Sequence, residues 1–132
     1  MIGVILIKIL IMSPVEIYIS DLPYDGGLIK LIQIQGQLDE SNVDEKAKIV
    51  YALLEEVADG TNFIFDLYGL EYMNSKSIGY LTDWYNKILQ KDGQIYLAQA
   101  QENILDILDT VGLTSIIEHH NSIEEAANAM LA

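Results

Sequence analysis

The chain contains no cysteine and no arginine, and its two histidines are the adjacent pair His119 and His120. Without cysteine it can form neither a disulfide framework nor a cysteine-ligated zinc site, and such a composition is typical of a reducing compartment. Two histidines are too few for a histidine-based metal centre without help from carboxylates. These absences predict a cytoplasmic protein with no metal and no cofactor of its own.

Positive charge is scarce throughout the sequence. Seven lysines stand against 20 aspartates and glutamates, which gives a formal net charge of −13 at pH 7. A charge of this sign opposes the approach of phosphate backbones and anionic membrane surfaces. Nucleic acid is therefore not expected among the partners of this protein.

The sequence also lacks the common nucleotide-binding and hydrolase motifs. It contains no G-x-x-x-x-G-K loop and no G-x-G-x-x-G loop, either of which would bind the phosphates of a nucleotide. It has no G-x-S-x-G segment, and its histidines lie near the last predicted strand, where a catalytic triad is not expected. We therefore expect a binding module and not an enzyme.

An apolar segment, MIGVILIKILIM, opens the chain. It covers about half of the ~20 residues that a membrane helix needs, and it lacks the basic region and cleavage site of a signal peptide, so direct membrane insertion is not expected. Two interpretations of residues 1–14 stay open. Either translation starts at Met12, or the segment is an extra strand that a sheet edge, a groove or a second copy in a homodimer covers.

The remaining residues, 15–132, form one domain in which strand and helix patterns alternate. The segments VEIYI and LIKLIQIQG, joined by the turn signal LPYDGG, predict a hairpin. Apolar spacings of three and four then predict four helices, separated by the strands NFIFDLYGL, QIYLAQA and TSIIEHH. The order β-β-α-β-α-β-α-β-α predicts an α/β fold, a mixed but mostly parallel sheet with an N-terminal hairpin and about four helices packed against it.

A short polar segment, NSKS, separates the strand NFIFDLYGL from the second predicted helix, residues 76–91. Asn74 or Ser75 lies where an N-cap is expected, since a side-chain oxygen there accepts hydrogen bonds from free backbone N–H groups. The helix dipole also favours negative charge at this end, so a phosphate on Ser75 would be tolerated while changing the surface charge by nearly two units. The position suits either a helix cap or a phosphorylation switch.

The helix at 76–91 has a predicted core stripe and a second, mixed face. The stripe consists of five apolar residues, Ile78, Leu81, Tyr85, Ile88 and Leu89. The side and back carry aromatic and charged residues, Lys76, Tyr80, Asp83, Trp84, Lys87 and Lys91. Exposed aromatic residues flanked by charges are typical of protein interfaces, so we expect Tyr80, Asp83, Trp84 and Lys87 to contact a protein partner. The alternative is that Trp84 packs against a neighbouring loop.

Three segments in order resemble the STAS domains of bacterial anti-sigma factor antagonists. GQLD, residues 36–39, is similar to the G-E-L-D motif of that family, and FIFDLYGLEYMNSKSIG is similar to its v-v-l-D-l-s-x-v-x-f-m-D-S-S-G-l-G motif. GQIYLAQAQENILDILDTVGL is similar to its g-g-x-l-x-l-v-n-x-x-x-x-v-x-x-i-l-x-x-t-g-l motif. The resemblance extends from about Val15 to the C-terminus and implies a STAS-like fold.

The resemblance also implies a function and a set of site residues. In that family the unphosphorylated protein binds an anti-sigma factor, which releases the sigma factor, and phosphorylation by the cognate anti-sigma kinase blocks this binding. The phosphorylated serine is the first one of D-S-S-G, which corresponds to Ser75. The sequence alone does not decide between Ser75 and Ser77, so Ser77 is the second candidate. The aspartate of G-E-L-D, which lies near the phosphorylated serine in that fold, corresponds to Asp39.

The motif around Ser75 departs from the family pattern at three positions. Asn74, Lys76 and Ser77 stand where the family has aspartate, serine and glycine. Asn74 keeps the ability to cap a helix, whereas Lys76 adds a charge that either weakens recognition by a typical kinase or shields a phosphate. The alternative function is a STAS scaffold, in a stressosome-like assembly or beside a membrane lipid-transport complex, that is not regulated by phosphorylation.

Overall fold

The computed structural model describes residues 15–24 and 27–131. Strand β1 (Glu16–Tyr24) runs antiparallel to β2 (Gly27–Leu38), which confirms the predicted hairpin. Pro23 is tolerated in β1 because this strand is the outermost of those in the described part of the chain. The apolar residues 1–14, and with them the predicted extra strand or homodimer contact, lie outside the described residues, as do two residues of the predicted turn.

Strand β2 is long because two later strands pair with different parts of it. β3 (Asn62–Asp66) runs parallel to residues 29–33 of β2, and β4 (Leu70–Met73) runs parallel to residues 36–38. Gly36, where the second pairing begins, has a φ of 101°, and the register shifts between Gly36 and Gln37. Glycine adopts this backbone conformation without strain, and the irregularity separates the two paired parts of β2.

Strand β4 corrects the prediction of a single strand over NFIFDLYGL. The chain turns after Asp66, whose Oδ1 accepts the backbone N–H of Tyr68 at 3.0 Å, and Leu70 N donates to Leu67 O at 3.1 Å. A side-chain bond of this kind offers the backbone an alternative to the sheet, so β3 ends there. An apolar run shows that residues are buried but does not show where such a turn interrupts it.

The sheet in the described ranges has six strands. β5 (Ile95–Ala98) lies beside β3, and β6 (His119–His120) lies beside β5, both in parallel. The strand order is β1-β2-β3-β5-β6, with β4 beside the end of β2. Among the strands that the structure describes, β1 and β2 form the one antiparallel pair. The predicted mostly parallel sheet is confirmed. The final strand is shorter than the predicted TSIIEHH, because residues Leu113–Ser115 form a 3-10 turn.

Within residues 15–24 and 27–131, four helices accompany the sheet, as predicted. They are α1 (Val43–Glu56), α2 (Ser75–Gln90), α3 (Glu102–Thr110) and α4 (Ile123–Leu131). No helix in the part of the chain that the structure describes is long and apolar enough to cross a membrane.

Alternate residues of the strands face two separate apolar layers. In β3, Phe63 and Phe65 belong to the larger layer and Ile64 belongs to the smaller one, as the two-residue period of a strand requires. The larger layer includes buried residues of α1, α2 and α3, and the smaller layer includes those of α4. The helices therefore cover both faces of the sheet, and the segments at its carboxyl edge, where strands lead into helices, remain at the surface.

Gly93, in the loop between α2 and β5, packs closely against Thr61, the residue before β3. A Cβ atom on Gly93 would lie 2.1 Å from the backbone oxygen of Thr61, so alanine there must push the two segments apart. We expect Gly93→Ala to lower the free energy of unfolding by about 2 kcal/mol, the usual scale of an overpacking cost, in urea denaturation.

Gly79→Ala is the matched control for that substitution. Gly79 lies on the exposed side of α2, and a Cβ there would meet nothing within 4 Å. Because alanine favours a helix more than glycine does, we expect a gain of roughly 0.5–1 kcal/mol in the free energy of unfolding. Two variants of equal stability would contradict the steric explanation at Gly93.

Candidate functional site

The parallel pairing of β2 with β4 brings two predicted site residues together. Leu38 lies opposite Met73, and the backbone N–H of Asn74 donates to Leu38 O at 3.1 Å. Asp39 and Asn74 follow these paired residues, so they lie side by side at the carboxyl edge of the sheet, where parallel sheets commonly bind their ligands. They line a shallow surface depression of about 360 Å³ together with Glu40, Ser41 and Tyr72.

Asn74 caps α2, which leaves Ser75 without that role. The Oδ1 atom of Asn74 accepts the backbone N–H of Ser77 at 2.9 Å, as expected of an N-cap. Ser75 is the first residue of α2, and its side chain is exposed. Of the two residues that the sequence offered as a cap, the structure assigns Asn74.

Ser77, the second candidate for phosphorylation, is buried. Its relative exposure is 1%, and its hydroxyl donates a hydrogen bond to the backbone oxygen of Asn74 at 2.7 Å. A kinase could reach this hydroxyl only if the first turn of α2 opened. Ser75 is the accessible serine of the pair.

Asp39 is half-buried and held by its own loop. Its Oδ1 atom accepts the backbone N–H of Ser41 at 2.9 Å and also the Ser41 hydroxyl. The backbone N–H of Asp39 donates to Asn42 Oδ1 at 3.1 Å, and Asn42 Nδ2 donates to Gln37 O at 2.8 Å. The loop from β2 to α1 thus fixes the Asp39 carboxylate beside the depression.

Lys76 bonds to Asp44 of α1, a residue that the sequence analysis did not single out. Lys76 Nζ lies 2.8 Å from one carboxylate oxygen and 2.9 Å from the other, and the Tyr80 hydroxyl donates to Asp44 Oδ1 at 2.6 Å. Asp44, Lys76 and Tyr80, named here the Asp44 cluster, join the first turn of α1 to the first two turns of α2. Asp44 and Lys76 lie 32 residues apart in the chain, and no sequence pattern links them.

The Asp44 cluster shifts the pKa of each of its members. The hydrogen bond from Lys76, and then the one from Tyr80, lower the pKa of the Asp44 carboxyl. The same contacts with Asp44 raise the pKa of Lys76 and the pKa of Tyr80. At neutral pH the carboxylate is therefore ionised and the ammonium group protonated, and the pair carries both charges.

Two other predicted contact residues, Asp83 and Lys87, lie against Tyr51 of α1. The half-buried Asp83 accepts a hydrogen bond from the Tyr51 hydroxyl, and Lys87 Nζ lies 5.9 Å from the centre of the Tyr51 ring. Burial, and then the bond to Asp83, raise the pKa of Tyr51. Asp83 thus has a partner within the chain, whereas Lys87 remains exposed.

Trp84 is buried, and the prediction that it forms an exposed contact was wrong. Its side chain is 4% exposed, and its ring stacks between Phe65, at 5.6 Å between ring centres, and Tyr80, at 6.2 Å. Trp84 packs against the sheet, not against a loop. Its large apolar area gains more from burial than the smaller side chains on the predicted stripe do.

The buried face of α2 accordingly matches the predicted stripe only in part, at Leu81 and Ile88. It consists of Ser77, Leu81, Trp84 and Ile88. Leu89, which was expected in the core, is 44% exposed. Of the four predicted contact residues, Lys87 is therefore exposed, Tyr80 and Asp83 are half-buried, and Trp84 is buried.

Asn74 and Ser75 should differ in their contributions to stability. We expect Asn74→Ala to lower the free energy of unfolding by about 1 kcal/mol, because the N–H of Ser77 loses its acceptor. Ser75→Ala, at an exposed position, should change it by less than about 0.5 kcal/mol. Urea denaturation measures both values. An equally large loss in Ser75→Ala would show that Ser75 shares the capping role.

Solved structures of similar fold include several anti-sigma factor antagonists. An anti-sigma-factor antagonist (STAS) domain protein from Planctomyces limnophilus is 18% identical, with a TM-score of 0.73, over 86% of this chain and 98% of that protein. An anti-sigma factor antagonist from Mycobacterium paratuberculosis is 16% identical, with a TM-score of 0.72, over 89% of this chain and 96% of its own. At such identities the likeness shows the fold alone.

A membrane transporter contains a domain of the same fold. The murine anion transporter Solute Carrier 26 family member A9 matches 97% of this chain with 24% of its own, at 14% identity and a TM-score of 0.74.

The family itself is shown by sequence. No curated protein sequence matches this chain significantly. The model of the STAS domain, however, matches residues 23–126, which is most of the chain and contains all three segments on which the resemblance rested. The chain therefore belongs to the STAS domain family.

Proposed function

We propose that this STAS domain is an anti-sigma factor antagonist, a binding module without catalytic activity that is switched off by phosphorylation of Ser75. The observation that carries the proposal is the exposed Ser75 side chain at the first position of α2, beside a cap that Asn74 supplies. The fold that the chain shares with anti-sigma factor antagonists supports it. The partner is an anti-sigma factor with serine kinase activity, and the site of action is the cytoplasm.

A phosphate on Ser75 would change binding without unfolding the domain. The N-terminus of α2 favours negative charge, so the helix tolerates the modification. The neighbouring depression already contains the carboxylates of Asp39 and Glu40. Nearly two further negative charges, and the bulk of the group, would disfavour a partner that packs closely on this edge of the sheet.

The phosphoryl group comes from the nucleoside triphosphate of the kinase. Ser75 Oγ forms a bond to the γ-phosphorus, the bond from that phosphorus to the β–γ bridging oxygen breaks, and the serine proton passes to a base of the kinase. The nucleotide and its magnesium ion belong to the kinase, so this chain supplies the acceptor hydroxyl and the surface around it.

Affinity capture from the lysate of the native cell tests the proposal. The baits are the wild type, Ser75→Ala and Ser75→Glu. We expect the first two to capture an ATP-binding anti-sigma kinase and Ser75→Glu to recover about tenfold less of it, since like charges at an interface lower affinity. Quantitative mass spectrometry identifies and measures the captured protein. Equal recovery of this kinase by all three baits would contradict the phosphorylation switch.

Ser115→Glu is the matched control for charge. Ser115 is exposed in the 3-10 turn that follows α3, so this variant carries the same added charge outside α2. It should bind as the wild type does. The captured kinase should also phosphorylate Ser77→Ala and fail to phosphorylate Ser75→Ala; the reverse result would assign the modification to Ser77.

A second candidate function is that of a STAS scaffold that does not depend on phosphorylation of Ser75. Its binding partners would be other subunits of an assembly, or a membrane lipid-transport complex. The fold shared with a domain of an anion transporter favours this candidate, and so does the lysine that replaces a motif serine at position 76. A scaffold would recover the same proteins with all three baits.

A further inference from the structure

The positive charge of Lys76 lies at an electrostatically unfavourable position, and the negative charge of Asp44 compensates for it. Lys76 lies in the first turn of α2, where the helix dipole disfavours a cation, and that turn contains no acidic residue. The carboxylate that compensates for this comes from α1, through the contact between Lys76 Nζ and both oxygens of Asp44. A negative group attached to α2 itself, beside Lys76, would compete with Asp44 for the same ammonium group.

A phosphate on Ser75 would be such a competitor. Ser75 and Lys76 are the first two residues of α2. Adjacent helix positions do not face each other, but the flexible four-carbon stem of Lys76 lets its ammonium group turn towards a phosphate there. The phosphate carries nearly two negative charges and three acceptor oxygens, whereas Asp44 carries one charge. The side chains of Lys76 and Asp44 are 57% and 55% exposed, and exposed ion pairs of this kind are weak. The phosphate is therefore the stronger partner for Lys76.

Asp44 can release Lys76 at little cost. Its Oδ1 atom keeps the hydrogen bond from the Tyr80 hydroxyl, at 2.6 Å, and its exposure lets water solvate the charge. Lys48 also lies close enough to stabilise the Asp44 carboxylate. The other charged group that acts on Lys76 is Glu40, which together with Asp39 would repel a phosphate that no cation neutralised.

We propose that phosphorylation of Ser75 transfers Lys76 from Asp44 to the phosphate, so that the modification breaks the ion pair between α1 and α2 in addition to adding charge. The proposal rests on the proposed function for the event that modifies Ser75. It assigns to Lys76, the residue that adds a positive charge to the family motif, the role of intramolecular phosphate ligand.

A ³¹P NMR titration of the chain with phosphoserine installed at position 75 during translation tests this exchange. The second ionisation of phosphoserine has an ordinary pKa of about 6. We expect Lys76→Gln to raise that pKa by about 0.5 unit, a threefold change in proton affinity, because the dianion loses its ammonium partner. Asp44→Asn should lower it, since Lys76 then has no competing carboxylate.

Lys87→Gln is the matched control. Lys87 is exposed near the other end of α2, and its substitution removes the same charge, so the phosphoserine pKa should stay at the wild-type value. A pKa unchanged by Lys76→Gln, or raised equally by Lys87→Gln, would overturn the proposal. The proposal would also be overturned if Lys76→Gln changed the phosphoserine pKa and Asp44→Asn did not. Lys76 would then bind the phosphate without leaving Asp44.

The outcome of this titration is independent of the capture experiment. Phosphoserine is installed without a kinase, so the exchange of Lys76 can be observed even if no kinase of the native cell modifies Ser75. Conversely, the capture experiment can succeed while the titration shows no effect of Lys76→Gln. In that case the proposed function stands and the exchange of Lys76 is overturned.

Discussion

The buried carboxylate of Asp66 holds together the edge of the sheet on which the candidate site is built. Its side chain is 5% exposed, and its oxygens accept hydrogen bonds from Gln33 Nε2 and Gln99 Nε2, both at 2.9 Å, and from the backbone N–H of Tyr68. A buried charge without such donors is strongly destabilising. Asp66 therefore connects the middle of β2 with the ends of β3 and β5. It also stops β3, which sends the chain into the turn towards β4.

That turn explains why two helices start next to each other. β4 pairs with the end of β2, so Asp39 and Asn74 become neighbours, and each precedes a helix. The backbone N–H of Val43 donates to Asp39 O at 3.0 Å, and Asn74 caps α2. The first turns of α1 and α2 therefore converge at one edge of the sheet. The strand topology therefore brings Asp44 of α1 close to Lys76 and the exposed Ser75 of α2. These residues come from two separate segments of the chain.

The sequence was sufficient for the fold and for part of the site. Apolar periodicity and the order of elements predicted the hairpin, the mostly parallel sheet and four helices, since these depend on local patterns. β4 was missed because the turn that separates it from β3 depends on a side-chain bond of Asp66 within a continuous apolar run. Trp84 was placed on the wrong face because apolar spacing fits both Trp84 and its neighbour Tyr85 as core residues. Packing against Phe65 decides between them, and spacing does not show this contact. The contact of Lys76 with Asp44 depends on the convergence of two helices and has no local signal.

The three departures from the family motif have different physical consequences. Asn74 replaces a charged cap with a neutral one and still accepts the N–H of Ser77 at 2.9 Å. Ser77 replaces a glycine at a buried position where a small side chain fits. Its hydroxyl donates a hydrogen bond to the backbone oxygen of Asn74 at 2.7 Å. These two substitutions preserve the first turn of α2. Lys76 alone of the three has an exposed side chain that carries a charge, so it is the substitution that alters what a partner, or a phosphate on Ser75, would meet at this surface.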